Sequence, residues 1–230
     1  MAQIILLRHG QSQWNKQRVY TGWNDVDLSP EGMEEVRSIA KRLKEEGVCF
    51  GMAFASLLAR TVKTLEIILN EYDCNKVDVV RSWQLNERHW GALQKVEMDK
   101  VKSKYGAKLV DQWRNDYYAK PPKQEIVDSK NDDLGLHCKD MTYVPNGESL
   151  HDLSLRVIPY LKSIIMPLVA KDENVLVVSH RHVLRVIIRY LMNSSVDNMK
   201  NIDVEVGEVR IFTFNELSQI VDEKEINRAI

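Results

Sequence analysis

Two histidines each follow a run of apolar residues, one near the start of the chain and one far downstream. His9 follows the apolar run of IILLRH, and His180 ends NVLVVSH at Asn174–His180. Runs of branched apolar residues are typical of strands buried on both faces of a sheet. In an open α/β sheet, ligands bind outside the carboxyl ends of the strands. Two neighbouring parallel strands would therefore place His9 and His180 on one rim, which predicts a ligand site there.

The residues around His9 are of the types that proteins use to hold phosphate. Arg8 adjoins it, and Gly10 lets the backbone approach a ligand closely. Small hydrogen-bond donors follow at Ser12, Asn15 and Thr21. Arginine, neutral donors and exposed backbone N–H groups together bind phosphate, and an imidazole with one nitrogen tied by a hydrogen bond can attack phosphorus. The alternative is a purely structural histidine at the end of a strand.

Two further segments offer groups for phosphate chemistry. Arg60 follows the predicted strand Met52–Ser56 near the start of a helix, where anions are favoured; the alternative is a solvated helix arginine. Phosphoryl transfer also needs a group that gives and takes protons. Glu87 lies in the segment NERHW, which fits neither the helical nor the strand period. The alternative for Glu87 is a surface ion pair with Arg88, the commoner arrangement.

The remaining pattern predicts the elements that position these groups. Strands are predicted at Met52–Ser56, Val77–Arg81, Val175–Ser179 and, as the final strand, Gly207–Phe214, besides the run before His9. Helices are predicted from Pro30, with Ser29 as N-cap, to Gly47 and over Leu57–Tyr72. After Gln94 a charged helical stretch is predicted through Trp113, and further helices are predicted over Ser149–Val169 and His180–Met192. Alternating strands and helices indicate an α/β fold, a three-layer α/β/α sandwich with a mostly parallel sheet.

The domain organisation follows from the same pattern. We expect one domain over residues 1–230, with an insertion or lid at about 83–145 lying over the carboxyl edge of the sheet. Within it, Lys120–Leu136 is polar, carries paired prolines, and is interpreted as a loop or partly disordered segment.

Composition excludes several classes of function. A net charge of −1 gives no global attraction for nucleic acid, so any anion site must come from local placement. No signal peptide or stretch long enough to span a membrane is recognised. The three cysteines lack paired metal spacing and favour a reduced, cytoplasmic protein. A metal site of His180 and His182 with His137 and Cys138 is not expected, because a helix should begin at the first pair.

Several motifs together resemble the cofactor-dependent phosphoglycerate mutases, a branch of the histidine phosphatase superfamily. The motifs cover nearly the whole chain: LLRHGQSQWN at Leu6–Asn15, TGWNDVDLSPEG at Thr21–Gly32, SLLARTVKT at Ser56–Thr64, LNERHWGALQ at Leu85–Gln94, KYG and QWR within Lys104–Arg114, PNGESLHD at Pro145–Asp152 and VLVVSH with a later LR within Val175–Arg185. RHG with a distant histidine marks only the superfamily, whereas the long NERH block is specific to the mutase branch. The resemblance also implies a phosphoglycerate mutase-like fold.

The resemblance implies roles for individual residues. His9 would be the phosphorylated nucleophile and Glu87 the general acid/base. The pocket that stabilises the transferring group would consist of Arg8, Arg60 and His180. Asn15, Thr21, Gly22 and Arg114 match family positions that contact phosphate or substrate, and we add Ser12, Arg88, Trp90 and Arg181 to the predicted substrate-binding residues.

The resemblance also implies the reaction and the binding partners. The family interconverts 3- and 2-phosphoglycerate through phosphohistidine, is primed by 2,3-bisphosphoglycerate and needs no metal. The implied partner is therefore a small phosphorylated substrate, with neither nucleic acid nor membrane. The family is usually dimeric or tetrameric, so a homodimer or homotetramer is expected.

This sequence departs from the family pattern around the expected pocket. The family has lysine where Met98 stands, arginine where Asn115 stands and tyrosine where Trp90 stands. After the second histidine, Arg181 and His182 replace glycine and asparagine, and Glu205-Val206 replaces a proline-threonine pair. Two cations are thus lost and one is gained. A charge-assisted hydrogen bond is worth about 1.5–3 kcal/mol, so substrate binding should weaken unless Arg181 compensates.

Two alternatives stand beside mutase activity. A phosphomonoesterase would use the same His9, with water as the acceptor of the phosphoryl group, and a looser pocket would favour it. A catalytically weak relative acting as a binding protein belongs to another class. The retention of the full predicted catalytic set argues against that second alternative.

Overall fold

A six-stranded sheet forms the centre of the computed structural model, which describes residues 1–72, 76–125 and 144–226. The strands are β1 (Gln3–Arg8), β2 (Met52–Ala55), β3 (Asp78–Arg81), β4 (Val175–Ser179), β5 (Val209–Phe214) and β6 (Ile220–Ile226), in the spatial order β3-β2-β4-β1-β5-β6. The first four in that order pair in parallel, and β5 and β6 pair antiparallel. The mostly parallel sheet is confirmed.

Helices cover both faces of the sheet. They are α1 (Gln13–Lys16), α2 (Pro30–Glu45), α3 (Ala59–Tyr72), α4 (Met98–Tyr105), α5 (Ala107–Asn115), α6 (Leu150–Tyr160), α7 (Met166–Val169) and α8 (Arg181–Leu191). In β1, Ile4 and Leu6 join the apolar cluster formed with α6 and α8, whereas Ile5 and Leu7 join the cluster formed with α2 and α3. Because strand side chains alternate between faces, a continuous apolar run serves both layers. The three-layer α/β/α fold is confirmed.

Local sequence explains where the principal helices begin. Ser29 accepts a hydrogen bond from the backbone N–H of Gly32, and Pro30 occupies the first turn of α2, where its missing N–H costs nothing. Ser149 and Asp152 form a reciprocal capping box at the start of α6. Both caps place a helix directly after a segment that reaches the rim of the sheet.

Three element predictions need correction. The strand ending at Phe214 is not the last one, because β6 follows it as an exposed edge strand whose charged sequence IVDEKEI lacks the apolar run of a buried strand. The predicted helix at Ser149–Val169 contains a π-helical segment at Leu161–Ile165, just after Pro159, where proline cannot donate the usual backbone bond. The charged helical stretch is broken into α4 and α5 at Gly106, which has φ 82°.

The segment after β3 has little regular structure before α4. Two 3-10 turns, Trp83–Leu85 and Gly91–Leu93, flank the chain that carries Glu87. Tyr20, Trp90 and Trp113 belong to a small apolar cluster that joins this segment to α4 and α5. Residues 120–125 have no helix or strand, and the rest of the predicted loop at Lys120–Leu136 lies outside the described residues. The single domain with a lid stays a prediction.

Within the described ranges, no helix is both long enough and apolar enough to cross a membrane.

Candidate active site

His9 lies at the carboxyl end of β1, where its imidazole is held by its own neighbour. Its Nδ1 is 2.7 Å from the carbonyl oxygen of Gly10. A carbonyl only accepts, so Nδ1 carries the proton and Nε2 keeps a free lone pair. Gly10 is required by space, because a Cβ there would lie 2.6 Å from Val36 Cγ2 and 2.7 Å from the carbonyl oxygen of Gly32. The packing of α2 against this turn therefore fixes the orientation of His9.

His180 follows β4, the parallel neighbour of β1 in the sheet. Arg8 is in register with Ser179, so the next residue of each strand reaches the same rim. The two imidazole rings lie 5.1 Å apart, edge to face. His180 Nε2 is 2.8 Å from Ser56 Oγ, at the end of β2, and its buried Nδ1 has no hydrogen-bond partner in the described part of the chain. The prediction that His9 and His180 share a rim is confirmed by this geometry.

Two buried guanidinium groups flank the histidines. Arg60 is 1% exposed and donates to the carbonyl oxygens of Asn24 (3.0 Å) and Gly22 (2.8 Å). Arg8 is 8% exposed and donates through Nη1 to the carbonyl oxygen of Val204 at 2.7 Å, while its buried Nε has no partner among the described residues. Burial lowers the pKa of each guanidinium to about 10, which leaves both charged at neutral pH. Fixed buried cations of this kind suit a phosphoryl group.

The electrostatic field of the site keeps His9 neutral. Burial lowers the pKa of His9 well below its usual range, and the charges of Arg60 and then Arg8 lower it further. The pKa of His180 is lowered by the same causes, with burial first and Arg60 next. Only a neutral imidazole has the lone pair that attacks phosphorus. The arginines that would bind the phosphoryl group therefore also hold His9 in its reactive form.

Glu87 is the carboxylate of this site. It is 9% exposed, and its Oε1 accepts a hydrogen bond of 2.7 Å from the backbone N–H of Arg88. Burial alone would raise the pKa of Glu87, but the contact with the His182 side chain and the hydrogen bond from the backbone N–H of Arg88 favour the ionised form and lower the pKa below its usual range. Glu87 is therefore an ionised proton acceptor in the free protein.

An ion pair beneath the site holds the irregular segment that carries Glu87. Arg156 on α6 and Glu148 form a buried pair with Nε 2.8 Å from Oε1. The same guanidinium donates to the carbonyl oxygens of Gln84 (2.9 Å), Asn86 (2.8 Å) and Glu87 (2.9 Å). Because backbone without regular structure must satisfy its buried carbonyls elsewhere, Arg156 replaces the hydrogen bonds that a helix or sheet would provide. Trp23 Nε1 also donates to the carbonyl of Glu87.

One cavity collects most of the predicted residues. It is lined by Arg8, His9, Asn15, Val19, Tyr20, Thr21, Gly22, Arg60, Glu87, Trp90, Met98, Arg114, Arg181 and His182. The predicted residues outside this lining are His180, Ser12 and Arg88. His180 packs edge to face against His9, which does line the cavity. Ser12 is fully buried, and its hydroxyl caps α1 by accepting from the backbone N–H of Asn15.

Arg88 is also separated from the cavity lining. Its side chain is fully buried, donates through Nε to the carbonyl oxygen of Glu148 at 2.7 Å, and lies 4.3 Å over the Trp90 ring. Burial lowers its pKa to about 10. Nη1 and Nη2 have no hydrogen-bond partner within the described ranges. The arrangement places the Arg88 charge beneath a wall of the cavity that Trp90 forms.

The family departures do not all reach the cavity. Met98, the first residue of α4, lines it without offering a charge. Asn115 does not line it; its amide donates to Asp111 at 2.8 Å and accepts from Arg185 at 3.2 Å. Arg181 lines it, but its guanidinium pairs with both carboxylate oxygens of Asp203. Arg181 therefore lies where it could replace a lost cation, but its charge is already paired with Asp203.

Four residues that line the cavity are not among the site residues predicted from the sequence: Val19, Tyr20, Met98 and His182. Met98 was noted only as a departure from the family. His182 was noticed only as a departure from the family and as part of the rejected metal site. No other motif in the sequence indicated it, because its position depends on how α8 meets the segment that carries Glu87. Tyr20 packs edge to face against Trp90, with ring centroids 4.8 Å apart. An aromatic residue two positions from Arg18 gives no local signal of this contact.

The metal site weighed in the sequence analysis can be compared only with the described part of the chain. No group of three or more histidine, cysteine, aspartate or glutamate side chains there could hold a metal ion. His137 and Cys138 lie outside the described residues.

Known proteins resemble this chain in sequence and in fold. The family that matches the chain is the histidine phosphatase superfamily (branch 1), over residues 4–132 and 123–226. A 2,3-bisphosphoglycerate-dependent phosphoglycerate mutase of Lactobacillus acidophilus is 35% identical over 99% of this chain and 100% of its own. One of Nautilia profundicola is 36% identical over 96% of this chain and 97% of its own. A solved mycobacterial glucosyl-3-phosphoglycerate phosphatase shares the fold, with a TM-score of 0.70, 22% identity and 93% of each chain covered.

Proposed function

Because this chain belongs to the histidine phosphatase superfamily, we propose that it transfers phosphoryl groups through a phosphohistidine at His9, and that it acts as a phosphoglycerate mutase. The observation that carries the proposal is the environment of His9. Its unprotonated Nε2 belongs to a neutral imidazole between two buried arginines, in a cavity that also contains an ionised carboxylate. A nucleophile, an anion cage and a proton acceptor are what phosphoryl transfer requires.

The proposed reaction consists of two phosphoryl transfers. A hydroxyl of phosphoglycerate attacks the phosphorus held on His9 Nε2, the N–P bond breaks, and the hydroxyl proton passes to Glu87. His9 Nε2 then attacks the other phosphate, that P–O bond breaks, and Glu87 returns its proton to the departing oxygen. Arg8 and Arg60 stabilise the charge on the transferring oxygens in both steps. The buried Nδ1 of His180, when it carries the proton, offers a further donor.

The first of these steps needs His9 to be phosphorylated beforehand. The relatives are named as dependent on 2,3-bisphosphoglycerate, and when bound that compound would supply the phosphoryl group. The unpartnered Nε of Arg8 and Nδ1 of His180 fit one of its phosphates. Arg114 also lines the cavity and would hold the other. Such a mutase would belong to glycolysis.

A phosphomonoesterase is the second candidate, and a specific observation favours it. Beyond the two inner arginines, Met98 adds no charge to the cavity, and the charge of Arg181 is paired with Asp203. A weaker hold on the carboxylate and phosphate of the acceptor would let phosphoglycerate dissociate before it receives the phosphoryl group, and water would then take that group from the phosphorylated His9. The same nucleophile serves both reactions.

One assay tests the proposed function. Purified protein is mixed with 2,3-bisphosphoglycerate and 3-phosphoglycerate, with 2-phosphoglycerate and inorganic phosphate followed together and His9→Ala as the control. Formation of 2-phosphoglycerate well above phosphate, lost in His9→Ala, supports the mutase. Phosphate without 2-phosphoglycerate supports the phosphomonoesterase. If neither 2-phosphoglycerate nor phosphate forms and no labelled phosphohistidine is detected, both reactions are contradicted and a binding protein is the remaining alternative.

A further inference from the structure

His182 is a buried imidazole that lies beside Glu87 and has no role in the steps described so far. It is the second residue of α8 and is 4% exposed. Its Nδ1 lies 3.4 Å from Glu87 Oε1, and neither ring nitrogen has a hydrogen-bond partner in the described part of the chain. Buried polar groups are nearly always hydrogen-bonded. An imidazole left without a partner at the wall of a substrate cavity therefore calls for a functional explanation.

The surroundings of His182 keep it neutral and fix its position. The Trp90 ring packs edge to face against it, with centroids 5.3 Å apart. Burial lowers the pKa of His182 to about 3, in spite of the opposing charge of Glu87. A neutral imidazole carries one proton, and Glu87 Oε1 is an acceptor when ionised, so the proton is stabilised on Nδ1. His182 can then donate to Oε1 after closing a few tenths of an ångström, since 3.4 Å is longer than a formed hydrogen bond.

Other groups also face the Glu87 carboxylate. Arg8 comes from β1, Arg60 from α3 and His180 from the turn before α8. From its own segment, the backbone N–H of Arg88 donates to Oε1. Within the described ranges, Oε2 has no hydrogen-bond partner. With Oε1 held by Arg88 and His182, Oε2 is the oxygen left to exchange a proton with substrate.

We propose that His182 is a positioning residue for Glu87: its Nδ1–H holds Oε1, so that Oε2 takes the proton from the attacking hydroxyl and returns it to the departing oxygen. This inference rests on the proposed phosphohistidine chemistry, since it assigns a task only if Glu87 handles protons there. It applies equally to a sugar-acid hydroxyl and to water as acceptor. His182 itself forms and breaks no covalent bond.

The test compares three substitutions of His182. Asparagine places an N–H donor near the position of histidine Nδ1, glutamine places one near Nε2, and leucine removes both while filling space. The hydrogen bond to a charged group is worth about 1.5–3 kcal/mol, so His182→Leu should lower kcat about 10- to 100-fold, with KM changed less than about threefold. His182→Asn should keep most of the wild-type kcat, and His182→Gln should resemble the leucine variant.

The pH profile separates positioning from packing. Losing a donor to the ionised carboxylate raises the pKa of Glu87, so the acid limb of kcat/KM in His182→Leu should move to higher pH, while His182→Asn keeps the wild-type limb. Equal loss in both variants, or an unchanged kcat and limb in His182→Leu, overturns the inference. If circular dichroism shows that His182→Leu does not fold, kcat and the acid limb are compared between His182→Asn and His182→Gln instead. Equal values in those two variants would then overturn the inference.

Labelled phosphohistidine distinguishes this inference from the proposed function. Wild-type protein that never forms phosphohistidine contradicts the proposed function itself. Wild-type protein that forms it and turns over normally, with His182→Leu unaffected, contradicts only the role of His182.

Discussion

Arg181 and Asp203 form a bidentate ion pair at the wall of the cavity. Arg181 Nε lies 2.7 Å from Asp203 Oδ1, and Nη2 pairs with Oδ2. The pair is partly exposed, and Asp203 Oδ1 also accepts from the backbone N–H of Val204 at 2.8 Å. The guanidinium gained at this position is thus neutralised by a carboxylate 22 residues away. Because Arg181 lines the cavity, we expect this pairing to limit how strongly the cavity binds anions.

Neutralising Asp203 should release the Arg181 charge to the cavity. We expect Asp203→Asn to bind 3-phosphoglycerate about tenfold more tightly, because one charge-assisted hydrogen bond to the ligand is worth at least about 1.5 kcal/mol. Isothermal titration of the unphosphorylated protein measures this affinity without turnover. Asp222→Asn, on the exposed edge strand, is the control for the change in net charge. Equal affinities in wild type and Asp203→Asn would show that Arg181 cannot reach the ligand.

A cation at Met98 should favour the mutase reaction over hydrolysis. Met98→Lys adds a charge to the cavity lining, so phosphoglycerate is held longer beside the phosphorylated His9 and competes better with water for the phosphoryl group. We expect the KM for 3-phosphoglycerate to fall roughly threefold to tenfold, and the ratio of 2-phosphoglycerate to phosphate formed to rise. Leu109→Lys adds the same charge on α5 outside the cavity lining and should change neither quantity. A matching change in both variants would point to net charge alone.

Breaking the ion pair beneath Glu87 should destabilise the protein strongly. Arg156→Met leaves the Glu148 carboxylate buried without its cation and removes donors from three carbonyl oxygens of the segment that carries Glu87. Loss of one partner of a buried pair costs about 3–5 kcal/mol. Urea unfolding measures the free energy of unfolding. Lys16→Met breaks an exposed pair with Glu31 and should change it by less than about 0.5 kcal/mol; similar losses in both variants would contradict the argument.

The sequence predicted the parts of this protein that depend on local pattern. The apolar runs before His9 and His180 predicted two buried parallel strands, and the strand-end rule then put both histidines on one rim. Ser29 followed by Pro30 predicted the start of α2 because capping chemistry acts over three residues. These features need no knowledge of distant contacts.

Features that depend on tertiary contact were not predictable. Arg181 was expected to replace a lost cation, but Asp203 pairs with it only because the chain after α8 returns to the rim. His182 was set aside as an unlikely metal ligand, and its contact with Glu87 arises from the packing of α8 against an irregular segment. The edge strand β6 was missed because its charges, which protect an edge from further pairing, conceal its pattern.

The buried histidines also make stability depend on pH. The pKa values of His9 and His180 lie well below their usual range, that of His89 is about 4 and that of His182 about 3, with burial as the leading cause in each case. In the unfolded chain all four titrate near the ordinary value of about 6.5. Below that pH the unfolded state binds protons that the folded state does not.

Stability should therefore decrease as the pH falls from about 7 to about 5.5. Where the unfolded chain binds more protons, the free energy of unfolding rises with pH, by up to about 1.4 kcal/mol per unit for each such histidine. The carboxylates titrate lower and contribute little in this window. Urea unfolding at several pH values measures the slope, and His182→Asn, which removes one of the four groups, should reduce it by about a quarter. A flat profile, or an unchanged slope in His182→Asn, would mean that these imidazoles take up protons in the folded state.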